Sequence, residues 1–369
     1  MTEVIPARTK VDLHRPAPLR LLETTLRDGS YAIDFQFTAS DTAIICRELE
    51  GAGFDVIELG HGVGLGASER GKEPAVETDE AYMRAAAETL QTANWGMFCI
   101  PGIAKLEHVD LAASYGMDFI RIGTNVTEAH EGEPFIRRAR EHGMYVAANF
   151  MKSYAMPPRE LAEKAQLAES FGAQIVYVVD SAGGMLTADV DEYFARIRDL
   201  TEVPLGFHGH DNLGLSVANA LRAVELGAAI VDTSLQGIGR SAGNTPTEIF
   251  LLVLERIGRG QGIDPLRVMD VGETYVKPLL QRNGHDSVDM VTGYAQFHTS
   301  YMGLIREFSG KYHVDPRRLI IALCERDKVN APRELVEELA QQLASEEPEV
   351  FTARFRLKRY HGSEQDPRP

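Results

Sequence analysis

Two histidines stand two residues apart in the run GFHGHDNLG, at His208 and His210. On a strand, residues i and i+2 point to the same face, so both imidazoles would project together and offer two nitrogens to adjacent positions on a metal ion. Such a pair also occurs as a purely hydrogen-bonded structural feature, so a third ligand is needed before the pattern means a metal. Asp28, at the end of the apolar run LLETTLRDG, supplies a carboxylate. A two-histidine, one-carboxylate face leaves positions open for water or substrate, as a catalytic ion requires. With only nitrogen and oxygen donors, Mn²⁺, Mg²⁺, Co²⁺ and Zn²⁺ are all admitted: the affinity order favours zinc, whereas several open octahedral positions favour manganese or magnesium. Arg27, beside Asp28, carries a planar and permanently charged guanidinium suited to an oxyanion developing on a bound substrate, with a structural ion pair as its plainer role. The loop GIGRSAGN (237–244) is rich in small residues that let backbone approach a ligand, and Asn244 at its end is a further candidate contact for metal or substrate.

Residues so far apart in sequence need a scaffold that gathers them. A phrase recurs along the chain in which an Ala- and Glu-rich stretch ends at glycine and is followed by a short apolar run: ELEGAGFDVIELG, ASYGMDFIRIG, REHGMYVAANF, AESFGAQIVYVVD and AVELGAAIVDTSL. Glycine supplies a left-handed helix stop, and the β-branched run after it reads as a strand buried on both faces. The glycines at 116, 143, 172 and 227 are spaced by 27, 29 and 55 residues, and RIRDLTEVPLGFHGH fills the double interval. With LLETTL and NWGMFCIPG added, eight strands are predicted near 21–25, 55–59, 96–100, 118–122, 144–149, 174–179, 205–209 and 229–234. Eight alternating units predict an α/β fold, a closed (β/α)₈ TIM barrel. An open doubly wound sheet would carry a Gly-rich phosphate loop after its first strand, and no such loop is present.

In a barrel, strand-end residues face one basin. Here those positions hold Thr25, Arg27, Asp28, His61, Pro101, Thr124, Asn125, Asn149, Asp180, Ser181, His208, His210 and the stretch 236–244. Beyond about residue 262 the pattern becomes helical. The expected organisation is an N-terminal extension (1–19), a catalytic barrel (20–262), a mainly helical C-terminal domain (263–345) and a charged tail (346–369).

Composition narrows the function. Apolar residues make up 44% and charged residues 25%, ordinary for a globular protein with a sizeable core. Thirty-eight basic against 54 acidic side chains give a net charge of −16, which disfavours nucleic acid and anionic membranes as partners. Three cysteines with no CxxC pair indicate neither a disulfide framework nor a cysteine zinc site. No apolar run reaches about 18 residues and the N-terminus lacks a signal-peptide core, so a cytoplasmic protein is expected.

LETTLRDGS (22–30), GFHGHDNLGLSVANA (206–220) and GIGRSAGNTPTE (237–248) together resemble the metal-dependent barrels that include 4-hydroxy-2-oxovalerate aldolase, isopropylmalate synthase and hydroxymethylglutaryl-CoA lyase. The likeness to the aldolase branch continues through IELGHGVGLGAS, CIPGI, TNVTEAH and YVVDSAGGM and covers about residues 20–340. It implies a divalent metal, usually manganese, on Asp28, His208 and His210, with Asn244 as an additional candidate, and a pyruvate enolate stabilised by Arg27. Asn149 and Ser181 join Arg27 as expected substrate contacts. The lyases' reactive cysteine is missing from GIGRSAGN, and TLRDGSYA replaces the TLRDGEQ of the synthases. The family's RDGxH histidine is here Tyr31, and its GYAxxYSS tyrosine is here His298, as if the two had exchanged places. If both face one pocket, proton transfer at the substrate hydroxyl can survive with altered geometry, with His298 expected as the base, alone or with Tyr31; loss of the base, with a different electrophile in use, is the alternative. The expected activity is aldol cleavage or formation of a 4-hydroxy-2-oxo acid from a 2-oxo acid and an aldehyde. A homo-oligomer and an aldehyde dehydrogenase partner are also expected. A Claisen-type synthase using an acyl-CoA, and a partner-binding barrel with reduced catalysis, are the alternatives.

Overall fold

The computed structural model describes residues 10–15, 19–280 and 287–346. Most of the expected N-terminal extension and all of the expected charged tail beyond residue 346 lie outside them. The glycines of the recurring phrase take positive φ where the helices stop, at Gly53 (110°), Gly116 (79°), Gly143 (78°), Gly172 (111°) and Gly227 (81°). A side chain there would strain the turn that feeds each strand.

Eight strands follow: β1 (Arg20–Glu23), β2 (Val56–Glu58), β3 (Asn94–Cys99), β4 (Phe119–Asn125), β5 (Tyr145–Met151), β6 (Ile175–Asp180), β7 (Leu205–Gly209) and β8 (Ile230–Thr233). They pair in chain order to form a closed barrel. The barrel closes where β1 pairs in parallel with β8, from Arg20 opposite Ile230 to Glu23 opposite Thr233. Every predicted strand overlaps an observed one. β4 runs to Asn125 rather than ending at Ile122, because Thr124 and Asn125 continue the ladder opposite Phe150 and Met151. Helices α1 (Ala39–Ala52), α2 (Asp79–Thr89), α3 (Leu106–Ser114), α4 (Glu133–Glu141), α5 (Pro158–Phe171), α6 (Thr187–Arg198), α7 (Ser216–Glu225) and α8 (Thr247–Arg256) alternate with the strands. α1 shows how its start is fixed: Thr38 accepts from the Asp41 backbone N–H while the Asp41 carboxylate accepts from that of Thr38.

After the barrel come α9 (Pro265–Val271), α10 (Ser287–Ala295), α11 (Met302–Tyr312), α12 (Pro316–Arg326) and α13 (Arg333–Glu346). α9 adds Val268 and Val271 to the barrel core. The chain then winds as a π turn, Gly272–Val276, and a short 3₁₀ turn, Lys277–Leu279, where Pro278 has no N–H to continue a helix. The remaining helices form a second apolar core around Phe297, Met302, Phe308, Leu319 and Val336. Among the described residues no helix is long and apolar enough to cross a membrane.

The second core is seated on the C-terminal end of the barrel by polar and backbone contacts. Asn212, in the loop after β7, donates through Nδ2 to the Asp289 carbonyl (3.2 Å) and to Thr292 Oγ1 (2.7 Å). Lys152, just past β5, donates to Tyr301 Oη (3.0 Å) and to the Val329 carbonyl (2.9 Å). Gly184, in the loop after β6, lies so near α10 that a Cβ there would stand 2.2 Å from the Gly293 carbonyl oxygen. Backbone on both sides leaves no flexible atom to yield. Gly184→Ala should therefore lower stability by about 1–3 kcal/mol, the usual cost of overpacking, measured as a shifted urea midpoint; an unshifted midpoint would mean that the two layers part easily.

Candidate active site

Charged residues inside apolar strands must find partners within the barrel, because an unpaired buried charge is costly. Glu58 ends β2, Arg121 sits mid-β4 and Asp232 lies in β8, all pointing inward and buried. Arg121 donates to Glu58 Oε2 (2.8 Å) and to Asp232 Oδ2 (2.5 Å), with its guanidinium 4.5 Å from the centre of the Tyr177 ring. Arg27 donates through Nε to the same Glu58 oxygen (2.6 Å) and through Nη1 to Asp28 Oδ2 (2.5 Å). Three carboxylates against two guanidinium groups leave this layer one negative charge in excess.

His208 and His210 rise from β7 directly above it. His208 Nδ1 is 2.8 Å from Asp232 Oδ2, and His210 Nδ1 is 3.2 Å from the Gly243 carbonyl oxygen. Both partners are acceptors, so each Nδ1 carries a proton, and a ring protonated there alone has its Nε2 lone pair available to a metal. The two Nε2 atoms are 3.4 Å apart, and His208 Nε2 is 3.8 Å from Asp28 Oδ2. Burial pushes His210 down to about 3, against the pull of the Asp28 carboxylate. Burial would raise the Asp28 carboxyl, but the guanidinium groups of Arg27 and Arg240 hold it well below the usual carboxylate range. Three electron-pair donors thus converge, their candidate ligand atoms all within 4.8 Å of one another. With one carboxylate and two imidazole Nε2 atoms facing one another, a cation is the complement that fits this donor set.

The triad opens into a pocket of about 490 Å³. Of the residues singled out in the sequence, Arg27, Asp28, Tyr31, Asn149, Ser181, His208, His210 and His298 all line it. Asn149 Oδ1 and His298 Nε2 are buried there without a hydrogen-bond partner. Phe98, Ile100, Met151 and Val179 give the pocket an apolar side. Tyr31 fits because position 62 is glycine: a Cβ on Gly62 would come within 2.6 Å of its ring. Asn244 is not among the lining residues, but its backbone bridges to that of His210 and its Oδ1 is buried without a hydrogen-bond partner, so it remains a candidate for an additional ligand position. His61 is turned aside: its Nδ1 accepts from the Val63 backbone N–H (3.0 Å) and its ring stacks on Phe35.

Sequence reasoning missed Glu58, Arg121, Asp232 and Arg240. The signal for the first three was a charged residue inside a strand otherwise apolar, as in FIRIG and AAIVDT. Arg240 reads in the sequence only as part of the glycine-rich loop GIGRSAGN. Its backbone N–H donates to Asp28 Oδ1 (3.1 Å), and its guanidinium donates to His298 Nδ1 (3.1 Å) and Thr299 Oγ1 (3.2 Å).

A parallel barrel with a buried Asp–His–His cluster at the C-terminal ends of its strands defines a class of metal-type TIM-barrel proteins. The HMGL-like family model matches residues 18–274. The chain belongs to this family, and its similar relatives lie in the aldolase branch. It is 37% identical to 4-hydroxy-2-oxovalerate aldolase of Carboxydothermus hydrogenoformans over 88% of this chain and 97% of that one. It is 36% identical to the aldolase of the same name from Moorella thermoacetica, with the same coverage. The fold is shared with the carboxyl transferase domain of Rhizobium etli pyruvate carboxylase at a TM-score of 0.73 and 18% identity, covering 90% of this chain and 61% of that structure. Membership in an aldolase family implies a divalent metal, and the lone pairs of Asp28, His208 and His210 fit one. Asp232→Asn, which removes the carboxylate oxygen that fixes the His208 ring, should weaken divalent-metal binding about 10–100-fold in a calorimetric titration of chelator-stripped protein. Unchanged affinity would mean that Asp232 does not orient this ligand.

Proposed function

We propose that the chain is a divalent-metal-dependent aldolase, a lyase that makes or breaks the carbon–carbon bond of a 4-hydroxy-2-oxo acid through a pyruvate-type enolate. The observation that carries this reading is the pairing, in one pocket, of the lone-pair triad with Arg27. A divalent ion held by Asp28, His208 and His210, with Mn²⁺ the proposed species, would polarise the carbonyl of the oxo acid. Arg27 stays charged because Glu58 and Asp28 offset the effect of its burial, and it lies over Phe98 with its guanidinium carbon 4.8 Å from the ring centre. Preorganised in this way, it counters negative charge developing on the substrate without rearranging. Asn149 and Ser181, which line the same pocket, are assigned to holding the oxo acid. Tyr31 and His298 are assigned to the substrate's hydroxyl-bearing carbon, where they face the oxygen that is an alcohol before cleavage and an aldehyde after it.

Residues 20–262 serve in this proposal as the catalytic barrel and 263–345 as a helical domain closing its mouth, which agrees with His298 arriving from the second core. The proposal extends to a homo-oligomer in the cytoplasm that passes its aldehyde to a dehydrogenase. That extension rests on the aldolase resemblance. The Claisen-type synthase and the non-catalytic barrel are not favoured, since the relatives covering 88% of the chain bear the aldolase name.

Incubation with Mn²⁺, pyruvate and a panel of aldehydes should give new 4-hydroxy-2-oxo acids by mass spectrometry. Release of free CoA from an acyl-CoA would instead support the synthase. His210→Ala should lose at least about 10³-fold in turnover, a loss on the scale of removing a principal electrostatic element, with an unaltered circular dichroism spectrum. Full activity in that variant would remove the metal site from the mechanism.

A further inference from the structure

His298 follows α10 and caps the 3₁₀ turn Thr299–Tyr301, where its side chain accepts from the Ser300 backbone N–H. Its Nδ1 lies 3.3 Å from that nitrogen, 3.1 Å from Arg240 Nη1 and 2.5 Å from Ser300 Oγ. A backbone N–H and a guanidinium N–H can only donate, so the ring nitrogen between them must accept. That selects against the tautomer with a proton on Nδ1, for which the Ser300 hydroxyl would be the acceptor while Arg240 and the Ser300 N–H faced a hydrogen. The doubly protonated ring is disfavoured as well, because burial together with the positive charges of Arg240 and Lys152 pushes His298 well below the usual imidazole range. The neutral ring with its hydrogen on Nε2 remains. That atom is buried without a hydrogen-bond partner, on a residue that lines the pocket holding the Asp28, His208 and His210 cluster.

We propose that His298 acts as a neutral hydrogen-bond donor, through Nε2–H, to the oxygen on the substrate's fourth carbon, and that Arg240 is the positioning residue that fixes this tautomer. The inference rests on the aldolase reading and divides the roles within its acceptor end. It also revises the expectation of a base at position 298, since the ring's one basic nitrogen already faces two donors. A donor held in place where negative charge gathers stabilises the oxygen as the carbon–carbon bond breaks or forms, and a neutral imidazole can polarise a carbonyl in this way. No proton leaves the ring in either direction: in cleavage the hydroxyl proton passes to solvent water at the pocket mouth and an equivalent proton ends on the methyl carbon of pyruvate, and synthesis reverses both transfers. Arg240 enters from the loop after β8 and also lies 5.9 Å from the centre of the Tyr31 ring, so it spans both members of the exchanged pair.

The test compares His298→Gln with His298→Leu in aldol cleavage. A glutamine amide retains an N–H donor but cannot exchange a proton, whereas leucine has neither property. Glutamine should keep kcat/KM within about 10-fold of the parent, and leucine should lose about 10²–10³-fold, the range for removing one oxyanion donor. Equal losses in the two variants, with the parent active, would show a base and overturn the proposal. A parent inactive on every 4-hydroxy-2-oxo acid would instead sink the aldolase reading itself, and this role with it. A second readout needs no turnover. In Mg²⁺-loaded protein labelled with ¹⁵N-histidine, the resonances missing from the glutamine variant identify position 298; they should show Nδ1 unprotonated and Nε2 protonated. Arg240→Met should move population towards the Nδ1–H form. A parent ring protonated at Nδ1 is the opposite result and excludes the tautomer on which the role depends.

Discussion

Arg121 is the charge on which the inner site depends. It lies across the barrel interior, bonded to Glu58 on one side and to Asp232 on the other. In so dry a setting each of these groups is tolerated only because the others satisfy it. The consequence runs upward through two branches. Asp232 orients the His208 ring through its Nδ1, and Glu58 anchors Arg27, which in turn grips Asp28. Metal-type ligands and the candidate oxyanion partner therefore belong to one connected lattice of charges and do not titrate or turn independently.

That lattice also accounts for the electrostatic contrast within the pocket. Asp28 is held ionised by the cations around it, while His210 is kept neutral by burial. An ionised carboxylate and a neutral imidazole are protonation states a divalent ion needs from its ligands. They are set by the surrounding protein before any ion arrives.

Much of this was legible in the sequence for reasons that are local. Glycine-terminated helices and doubly buried strands have short-range signatures, and alternation of side chains on β7 places His208 and His210 together regardless of the rest of the fold. Asp28 followed from the rule that strand ends share a basin. The inner charges were harder to read, because Arg121 becomes intelligible only when β2 and β8 are known to flank it across the barrel. The partners of His298 were inaccessible for a similar reason: Arg240 is 58 residues away on another layer, and the direction of its side chain is set by the loop that binds Asp28. Resemblance pointed to position 298, but only geometry shows which of its nitrogens faces Arg240 and which faces the pocket.

The pocket is bounded by two hydrophobic cores that meet where Gly184 and Gly293 touch. Everything assigned to the oxo-acid half sits on the barrel, whereas His298 is carried by the helical layer. The seam between the cores thus runs through the proposed aldehyde end of the pocket, with Tyr31 on the barrel side and His298 on the helical side. A lineage could retune its choice of aldehyde by sliding or reshaping one module while the enolate chemistry on the other stayed untouched.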